Sequence, residues 1–205
     1  MPRNTQLSRA AVVQAAAALT DAAGSAEHVT LAQVAAHFGI RLPSLYNYVD
    51  GLPDLRRALA LLSVQELTAA LQQAAVGRAG DDAIIAIAQA YRAYAQAYPG
   101  RYSAGVRAAG PEDHELIKAS TVLIELLLRV LAAYRLQGDD ALHAVRGLRS
   151  IVHGFVSLEA AGGFGMPLDR DESFERLIAM FLAGLRQQAS YHPTPSLPSL
   201  PGEGE

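Results

Sequence analysis

The stretch that decides the fold is TLAQVAAHFGIRLPSLYNYV, Thr30 to Val49. Its first half carries apolar residues at helical spacing, namely Leu31, Val34, Ala35 and Phe38. Thr30 with Gln33 three residues later is the sequence pattern of a capping box at a helix start. Gly39 stands where a helix ends in the left-handed conformation, and Pro43 suits the first turn of another helix. The stretch therefore predicts two short helices joined by a tight turn.

The second of these helices, from about Leu42 to Tyr48, has an unusual outer face. Leu45 and Val49 are four residues apart and predict the buried side, which leaves polar and aromatic side chains outside. In a helix-turn-helix, the second helix enters the DNA major groove. Hydroxyls suit phosphate oxygens, an amide suits a base edge, and aromatic faces suit sugars or thymine methyls. The predicted DNA contacts are Thr30, Arg41, Leu42, Pro43, Ser44, Tyr46, Asn47 and Tyr48.

The remainder of the chain also reads as helical. Helical periodicity predicts further helices over about 12–23, 52–74, 81–98, 111–136, 139–161 and 171–189. Residues 101–110 are expected to be irregular after the Pro99-Gly100 stop, and no segment alternates as a strand does. The fold class is therefore all-α. We predict a helix-turn-helix domain over 1–51, a larger helical domain over 52–189, and a disordered proline-rich tail over 190–205.

Composition narrows the functions that fit this fold. The 205 residues are 51% hydrophobic with a formal net charge of −3, so DNA contacts must come from a local patch. There is no cysteine, which excludes disulfides and thiolate metal sites. No apolar run approaches the roughly 20 residues of a membrane span, and we expect a cytoplasmic protein without a membrane partner. The acids around His114 fit a helix start, so we expect no metal there. No serine–histidine–acid order or paired-carboxylate spacing stands out, so we expect no catalysis, and we expect no cofactor.

The region from about Ser8 to Leu55 resembles the N-terminal domain of the TetR family of transcriptional regulators. The family pattern T-x-x-x-I/V-A-x-x-x-G-V/I is present as TLAQVAAHFGI, and L-Y-x-H/Y-F/V follows in SLYNYV. Farther on, IVHGFVSLEAAGGF resembles the HG…LE core of WHG-type C-terminal domains. The resemblance implies a DNA-binding domain followed by a divergent all-α domain that dimerises and holds a small-molecule inducer.

A series of tyrosines is the most distinctive feature of the second domain. Their spacing of three and four is typical of a core stripe, and it would also suit a pocket wall with a few hydroxyls. His153 lies on an apolar helix, where it either packs or touches ligand. The predicted ligand-binding residues are Tyr91, Tyr94, Tyr98, Tyr102, Thr121, Arg129 and His153. Because apolar surface is plentiful around them, we expect a small hydrophobic or amphipathic ligand.

The last two helices carry apolar stripes that predict a homodimer. We expect them to pair with their symmetry mates as a four-helix bundle through Val145, Leu148, Val152, Phe155, Leu177, Met180, Phe181 and Leu185. The working hypothesis is a homodimeric repressor that a ligand releases from a palindromic operator in double-stranded DNA. The alternative is an all-α small-molecule binding protein or enzyme in which the helix-turn-helix motif is only packing.

Overall fold

A computed structural model describes residues 7–191, with side chains over 7–188. This range contains nine α-helices and no strand, which confirms the all-α prediction. They are α1 (Arg9–Ala23), α2 (Leu31–His37), α3 (Leu42–Leu45), α4 (Gly51–Ala75), α5 (Gly80–Ala97), α6 (Pro99–Gly105), α7 (His114–Leu131), α8 (Gly138–Ala160) and α9 (Arg170–Tyr191). The tail predicted from 190 onward lies outside the described residues, except that α9 includes 190 and 191. Within residues 7–191, no helix combines the length and hydropathy needed to cross a bilayer.

The first three helices and the start of α4 enclose a small core of their own, made of Val12, Ala16, Val34, Leu45, Val49, Leu55 and Leu59 among others. The predicted capping box is present, because the Thr30 hydroxyl accepts the Gln33 N–H and the Gln33 side chain accepts the Thr30 N–H. Gly39 has φ 66°, the left-handed conformation that lets the chain turn sharply from α2 toward α3. The sequence therefore determines this small domain largely through local signals.

A larger core lies between the second half of α4 and helices α5 to α9. Its fully buried members include Leu71, Ile84, Ile87, Leu131 and Leu148. The 25-residue helix α4 contributes to both cores, with Leu55 and Leu59 in the first and Leu67 and Leu71 in the second. One continuous helix thus connects the two parts of the molecule.

Two helix predictions are wrong in the middle of the chain. The segment expected to be irregular contains α6, which starts at Pro99, a position where a missing N–H is harmless. Helix α7 starts at His114 and not at Pro111, because a turn comes first in which the Asp113 N–H donates to the Gly110 carbonyl at 3.0 Å. It ends at Leu131, where a 3-10 turn over Ala132–Tyr134 follows.

Most of the residues predicted at the dimer interface belong to the subunit's own core. Val145, Leu148, Val152, Phe155 and Leu185 are each at most 6% exposed in the single chain. They pack against α5, α7 and one another, so the subunit's own core already buries them and leaves little of their surface for a partner. Leu177 and Phe181 are half-buried, and Met180 is 65% exposed.

Candidate DNA interface and ligand cavity

The surface around α3 has the two-sided character that the sequence predicts. Leu45 is fully buried and Val49 is 2% exposed, which fixes the inner side of the segment. Ser44, Tyr46 and Asn47 are exposed and Tyr48 is half-buried. The helix itself is only one turn long, Leu42–Leu45, and the chain continues through a turn in which the Tyr48 N–H donates to the Leu45 carbonyl at 2.9 Å.

The other predicted DNA contacts surround this segment. Thr30 is exposed at the start of α2, where the first backbone N–H groups of a helix suit an anion. Arg41 is the N-cap residue of α3 and is exposed, as are Leu42 and Pro43 in its first turn. Seven of the eight predicted contacts are thus exposed, at the beginning of α2 and along residues 41–48, which we call the α3 segment.

Behind this surface, Arg9 of α1 and Asp54 of α4 form a bidentate ion pair. The Arg9 Nη1 and Nη2 atoms donate to Asp54 Oδ2 and Oδ1 at 2.6 and 2.8 Å, and Nη1 also donates to the Tyr48 carbonyl at 3.0 Å. The hydrogen bond from Arg9 lowers the pKa of the Asp54 carboxyl to about 2. Sequence analysis missed this pair, because two opposite charges 45 positions apart leave no periodic pattern.

A cavity of about 800 Å³ opens between α5, α6 and α8 and reaches Gly24 at the end of α1. Apolar walls come from Ala95, Val106, Val156 and Ala160, and polar groups come from Gln96, Tyr102, Ser103, His153, Ser157 and Glu159. The Tyr102 hydroxyl and His153 Nδ1 share a hydrogen bond of 2.7 Å. Burial raises the pKa of Tyr102, so its hydroxyl stays protonated at physiological pH.

The structure divides the predicted tyrosine series into two groups. Tyr102 lines the cavity with His153, and the buried Tyr91 packs edge-on against Tyr102 with ring centroids 5.9 Å apart. Tyr94 is directed elsewhere, since its hydroxyl donates to the Glu66 carboxylate at 3.2 Å. Tyr98 is 39% exposed and lies 5.3 Å from the Tyr94 ring. Only part of the stripe therefore faces a pocket, and the rest packs between helices.

Thr121 and Arg129 do not line this cavity. Both are exposed on α7, and the Thr121 hydroxyl donates to the Ile117 carbonyl one turn earlier. They face outward because α7 directs its apolar stripe, Leu116, Leu126, Leu127 and Leu131, toward the core. Sequence analysis instead missed Gln96, Ser157 and Glu159. The four-residue step from His153 to Ser157 could have indicated that both share one face of α8.

Glu159 at the cavity edge belongs to a cluster that ties three helices together. Arg92 of α5 donates to its two carboxylate oxygens at 3.1 and 2.7 Å and pairs with Asp171 of α9 at 2.8 Å. The guanidinium carbon also lies about 5 Å from the ring centres of Phe155 and Phe174. Hydrogen bonds from Arg92 lower the pKa of Glu159 and keep it ionised. No cluster of three or more potential metal ligands occurs among residues 7–191.

Helix α6 connects this cavity to the N-terminal helices. A methyl group at Gly100 would overlap the backbone of Thr20 and Asp21, so α6 meets α1 in direct backbone contact. Arg101 pairs with Asp21 of α1 at 2.8 Å and with Glu66 of α4 at 3.1 Å. The same short helix therefore carries Tyr102 on the cavity side and touches the DNA-binding part on the other.

An exposed helix-turn-helix on a small domain, joined to a larger helical domain, defines a class of DNA-binding regulators. A family model of the tetracyclin repressor-like C-terminal domain matches residues 84–181. The chain is 36% identical over 195 residues to the uncharacterized HTH-type transcriptional regulator Rv0681 of Mycobacterium tuberculosis, covering 95% of this chain and 88% of that protein. It is 34% identical over 179 residues to the uncharacterized HTH-type regulator YobS of Bacillus subtilis, covering 87% and 93%.

The fold is also similar to a bacterial regulatory protein of the TetR family from Rhodococcus RHA1. That match has a TM-score of 0.67 and 18% identity, and it covers 88% of this chain and 98% of the other. The chain belongs to the TetR family of transcriptional regulators. The two relatives from Mycobacterium tuberculosis and Bacillus subtilis are both named as regulators of transcription, and neither is named as an enzyme.

Proposed function

We propose that this regulator is a homodimeric repressor, released from a palindromic operator when a small amphipathic ligand enters the α5–α6–α8 cavity. The observation that carries the proposal is the position of α6, which borders the cavity through Tyr102 and contacts α1 through Gly100 and Arg101. A change at the cavity has a direct mechanical path to the helices that bind DNA.

The DNA-binding part of the proposal rests on the chemistry of the exposed α3 segment. The Asn47 amide suits bidentate contact with an adenine edge in the major groove. Tyr46, Ser44 and Thr30 suit phosphate and sugar oxygens, which position the protein without reading sequence. Arg41, Leu42, Pro43 and Tyr48 complete the proposed contact surface.

The dimer is proposed to form through the outward faces of α8 and α9. Leu158 of α8 and Met180 of α9 are 52% and 65% exposed, so each outward face carries a large apolar side chain that the single chain leaves uncovered. Exposed small residues, Gly154 of α8 and Ala183 of α9, allow close helix approach beside them. A symmetric contact of these faces would present two α3 segments to major grooves about 34 Å apart.

The ligand is proposed to be amphipathic because the cavity walls are mixed. Tyr102, His153, Gln96 and Ser157 offer hydrogen bonds, while alanine and valine side chains offer apolar contact. The acid Glu159 is already neutralised by Arg92 at 2.7 Å, so the cavity does not demand a cationic ligand. A volume of about 800 Å³ is in the usual range for a drug-sized molecule.

Ligand binding would act by favouring a conformation in which α6 has shifted. A ligand can move the equilibrium only by as much as its affinity differs between the two conformations. Because the α6 backbone touches the α1 backbone at Gly100, a displacement of α6 must move α1 or break the Arg101–Asp21 pair. Movement of α1 would alter the separation of the two α3 segments in a dimer, and loss of the ion pair would release α1 to move.

The test combines a ligand screen with DNA release. Amphipathic, anionic and sugar compounds are screened by thermal shift on wild type and on Tyr102→Ala, and hits are added to the protein bound to fluorescent duplex DNA. We expect amphipathic hits that stabilise wild type, fail to stabilise Tyr102→Ala, and release DNA from wild type only. Stabilising hits that leave DNA binding unchanged would contradict ligand-controlled release.

A further inference from the structure

We propose that Arg9 and Asp54 are a positioning pair, which sets the orientation of the α3 segment on DNA without touching DNA. The proposal rests on the DNA-binding function of this family member and goes beyond it by assigning roles to two residues outside the contact surface. It makes the sequence specificity of DNA binding depend on an ion pair that lies behind the α3 segment.

Three elements converge on one carboxylate. Asp54 in the first turns of α4 accepts both guanidinium nitrogens of Arg9, from α1, and also accepts the Asp50 N–H at 2.9 Å. Arg9 links this carboxylate to the end of the α3 segment, because its Nη1 also donates to the Tyr48 carbonyl at 3.0 Å. The side chain of Asp54 is 12% exposed, so the hydrogen bonds to its carboxylate are partly shielded from water, whereas the Arg9 contact with the Tyr48 carbonyl is exposed.

The α3 segment depends on neighbouring elements for its orientation. A single helical turn is far below the length at which a helix is stable alone, so α3 takes its orientation from its neighbours. Leu45 and Val49 anchor one side in the apolar core, which leaves rotation about that anchor to be restrained. The Arg9 contact with the Tyr48 carbonyl supplies that restraint one residue from Asn47.

A rival role for Arg9 makes the opposite prediction. Its side chain is 52% exposed, so Arg9 could instead contact a DNA phosphate directly. In that case Asp54 competes with DNA for the guanidinium, and Asp54→Asn would strengthen binding. If the pair positions α3, Asp54→Asn weakens binding although it removes a negative charge near DNA. The sign of this one change separates the two roles.

The experiment uses a duplex selected from a random pool with the wild-type chain, together with a scrambled duplex of equal length. Affinities of Arg9→Gln, Asp54→Asn and Arg9→Lys are measured by fluorescence anisotropy over a series of salt concentrations. Arg78→Gln and Asp82→Asn are matched controls with the same charge changes at exposed positions on other parts of the chain. Circular dichroism at the working temperature verifies that each variant is folded.

The positioning role predicts that Arg9→Gln and Asp54→Asn each lose about tenfold on the selected duplex, as expected for a charged hydrogen-bond pair, and much less on the scrambled one. The slope of log K against log salt stays that of wild type. Arg9→Lys also loses most of the affinity, because a compact ammonium cannot reproduce the planar fork that pairs with both Asp54 oxygens while reaching the Tyr48 carbonyl. Both controls stay within about twofold of wild type, because exposed charges away from the contact act weakly.

The proposal is overturned if Asp54→Asn binds more tightly than wild type, or if Arg9→Gln makes the salt slope shallower by about one. Wild-type affinity of Arg9→Lys for the selected duplex would also overturn it, because a lysine carries the same charge and can pair with a phosphate in place of arginine. A wild-type chain that selects no sequence contradicts the proposed function instead, and that result is obtained before any variant is compared.

Discussion

Asn47 is the side chain that we expect to read a base. It is exposed on the α3 segment, and within residues 7–191 its amide makes no hydrogen bond to another residue. We expect Asn47→Ala to cost about 1–3 kcal/mol on a selected duplex and little on a random one, because a base contact carries sequence information. Parallel anisotropy titrations on the two duplexes measure the difference, and equal losses on both would contradict this role.

Tyr46 and Thr30 are expected to act differently, through the phosphate backbone. Tyr46→Phe and Thr30→Val should weaken the selected and random duplexes by similar factors, because phosphate contacts do not depend on sequence. Thr30→Val also removes the capping hydroxyl that accepts the Gln33 N–H, so its thermal stability must be measured in parallel. A loss confined to the selected duplex would move either residue to the group that reads bases.

The Asp54 carboxyl makes a pH-dependent contribution to folding. Hydrogen bonds from Arg9 hold its pKa at about 2, against about 4 in an unfolded chain. A depressed pKa stabilises the folded state fully above pH 4, and the contribution is lost as the pH falls toward 2. Asp54→Asn should therefore cost about 2 kcal/mol in the free energy of unfolding at pH 7, and less at pH 3. Urea unfolding of both proteins at the two pH values tests this, and a pH-independent difference would contradict it.

Local signals in the sequence explain why the conformation of the helix-turn-helix was predictable. Thr30 and Gln33 form a capping box only a few residues apart, and Leu45 and Val49 mark the inner side of α3 by spacing alone. Arg9 and Asp54 could not be found in this way. Their pairing follows from how α1 packs on α4, which is a tertiary arrangement that no local pattern encodes.

Helix α6 carries the second set of predictions because it joins cavity and DNA-binding part. Gly100→Ala should force α6 away from α1, since the added methyl would overlap the Thr20 and Asp21 backbone. We expect a loss of about 1–3 kcal/mol in stability and a weaker response of DNA binding to ligand. Gly165→Ala is the control, because the space around its Cβ position is open and it lies outside the proposed DNA, ligand and dimer surfaces. Normal stability and normal ligand response in Gly100→Ala would contradict the close contact.

The sequence concealed α6 for a physical reason. Pro99-Gly100 is a pattern typical of helix ends, and here proline begins a helix while glycine allows backbone contact with α1. Neither use is visible without the neighbouring helix. The ligand cavity was only partly predictable for a similar reason, since the tyrosine spacing does not tell which ring meets a pocket and which meets another helix.

Helices α8 and α9 show the limit of hydrophobic periodicity. The pattern correctly marks a buried face, but it cannot tell whether the same chain or a second copy buries it. Leu148 is only 1% exposed because side chains of its own subunit surround it, while Leu158 on the same helix is 52% exposed. Leu148→Ala should therefore cost about 2–5 kcal/mol in unfolding free energy, as core truncations do.

Leu158 and Met180 instead test the proposed dimer face. Leu158→Glu with Met180→Glu should give a folded monomer, because the charges would be buried against a partner but are solvated in the free chain. Sedimentation velocity measures the change in mass, and circular dichroism verifies the fold. A variant that remains dimeric would exclude these faces of α8 and α9 from the interface.

The molecule as a whole consists of two cores that α4 and α6 connect. The α4 helix contributes to both cores, and α6 lies against α1, α4 and the cavity. Such an arrangement would let a ligand in the proposed cavity compete with DNA through conformation, although the two proposed sites are separate. By linkage, a ligand that lowers DNA affinity by a given factor must lose affinity by the same factor when DNA is bound.

The central claim is that two chains read one symmetric site with paired α3 segments. The most direct measurement is an anisotropy titration of a selected palindromic duplex, compared with the same half-sites moved apart by about five base pairs, half a helical turn. The account predicts two chains per duplex on the original spacing and a loss of most specific affinity on the altered one, because the second α3 then faces the wrong side of the DNA. Equal affinity for both spacings, or one chain per duplex, would contradict it.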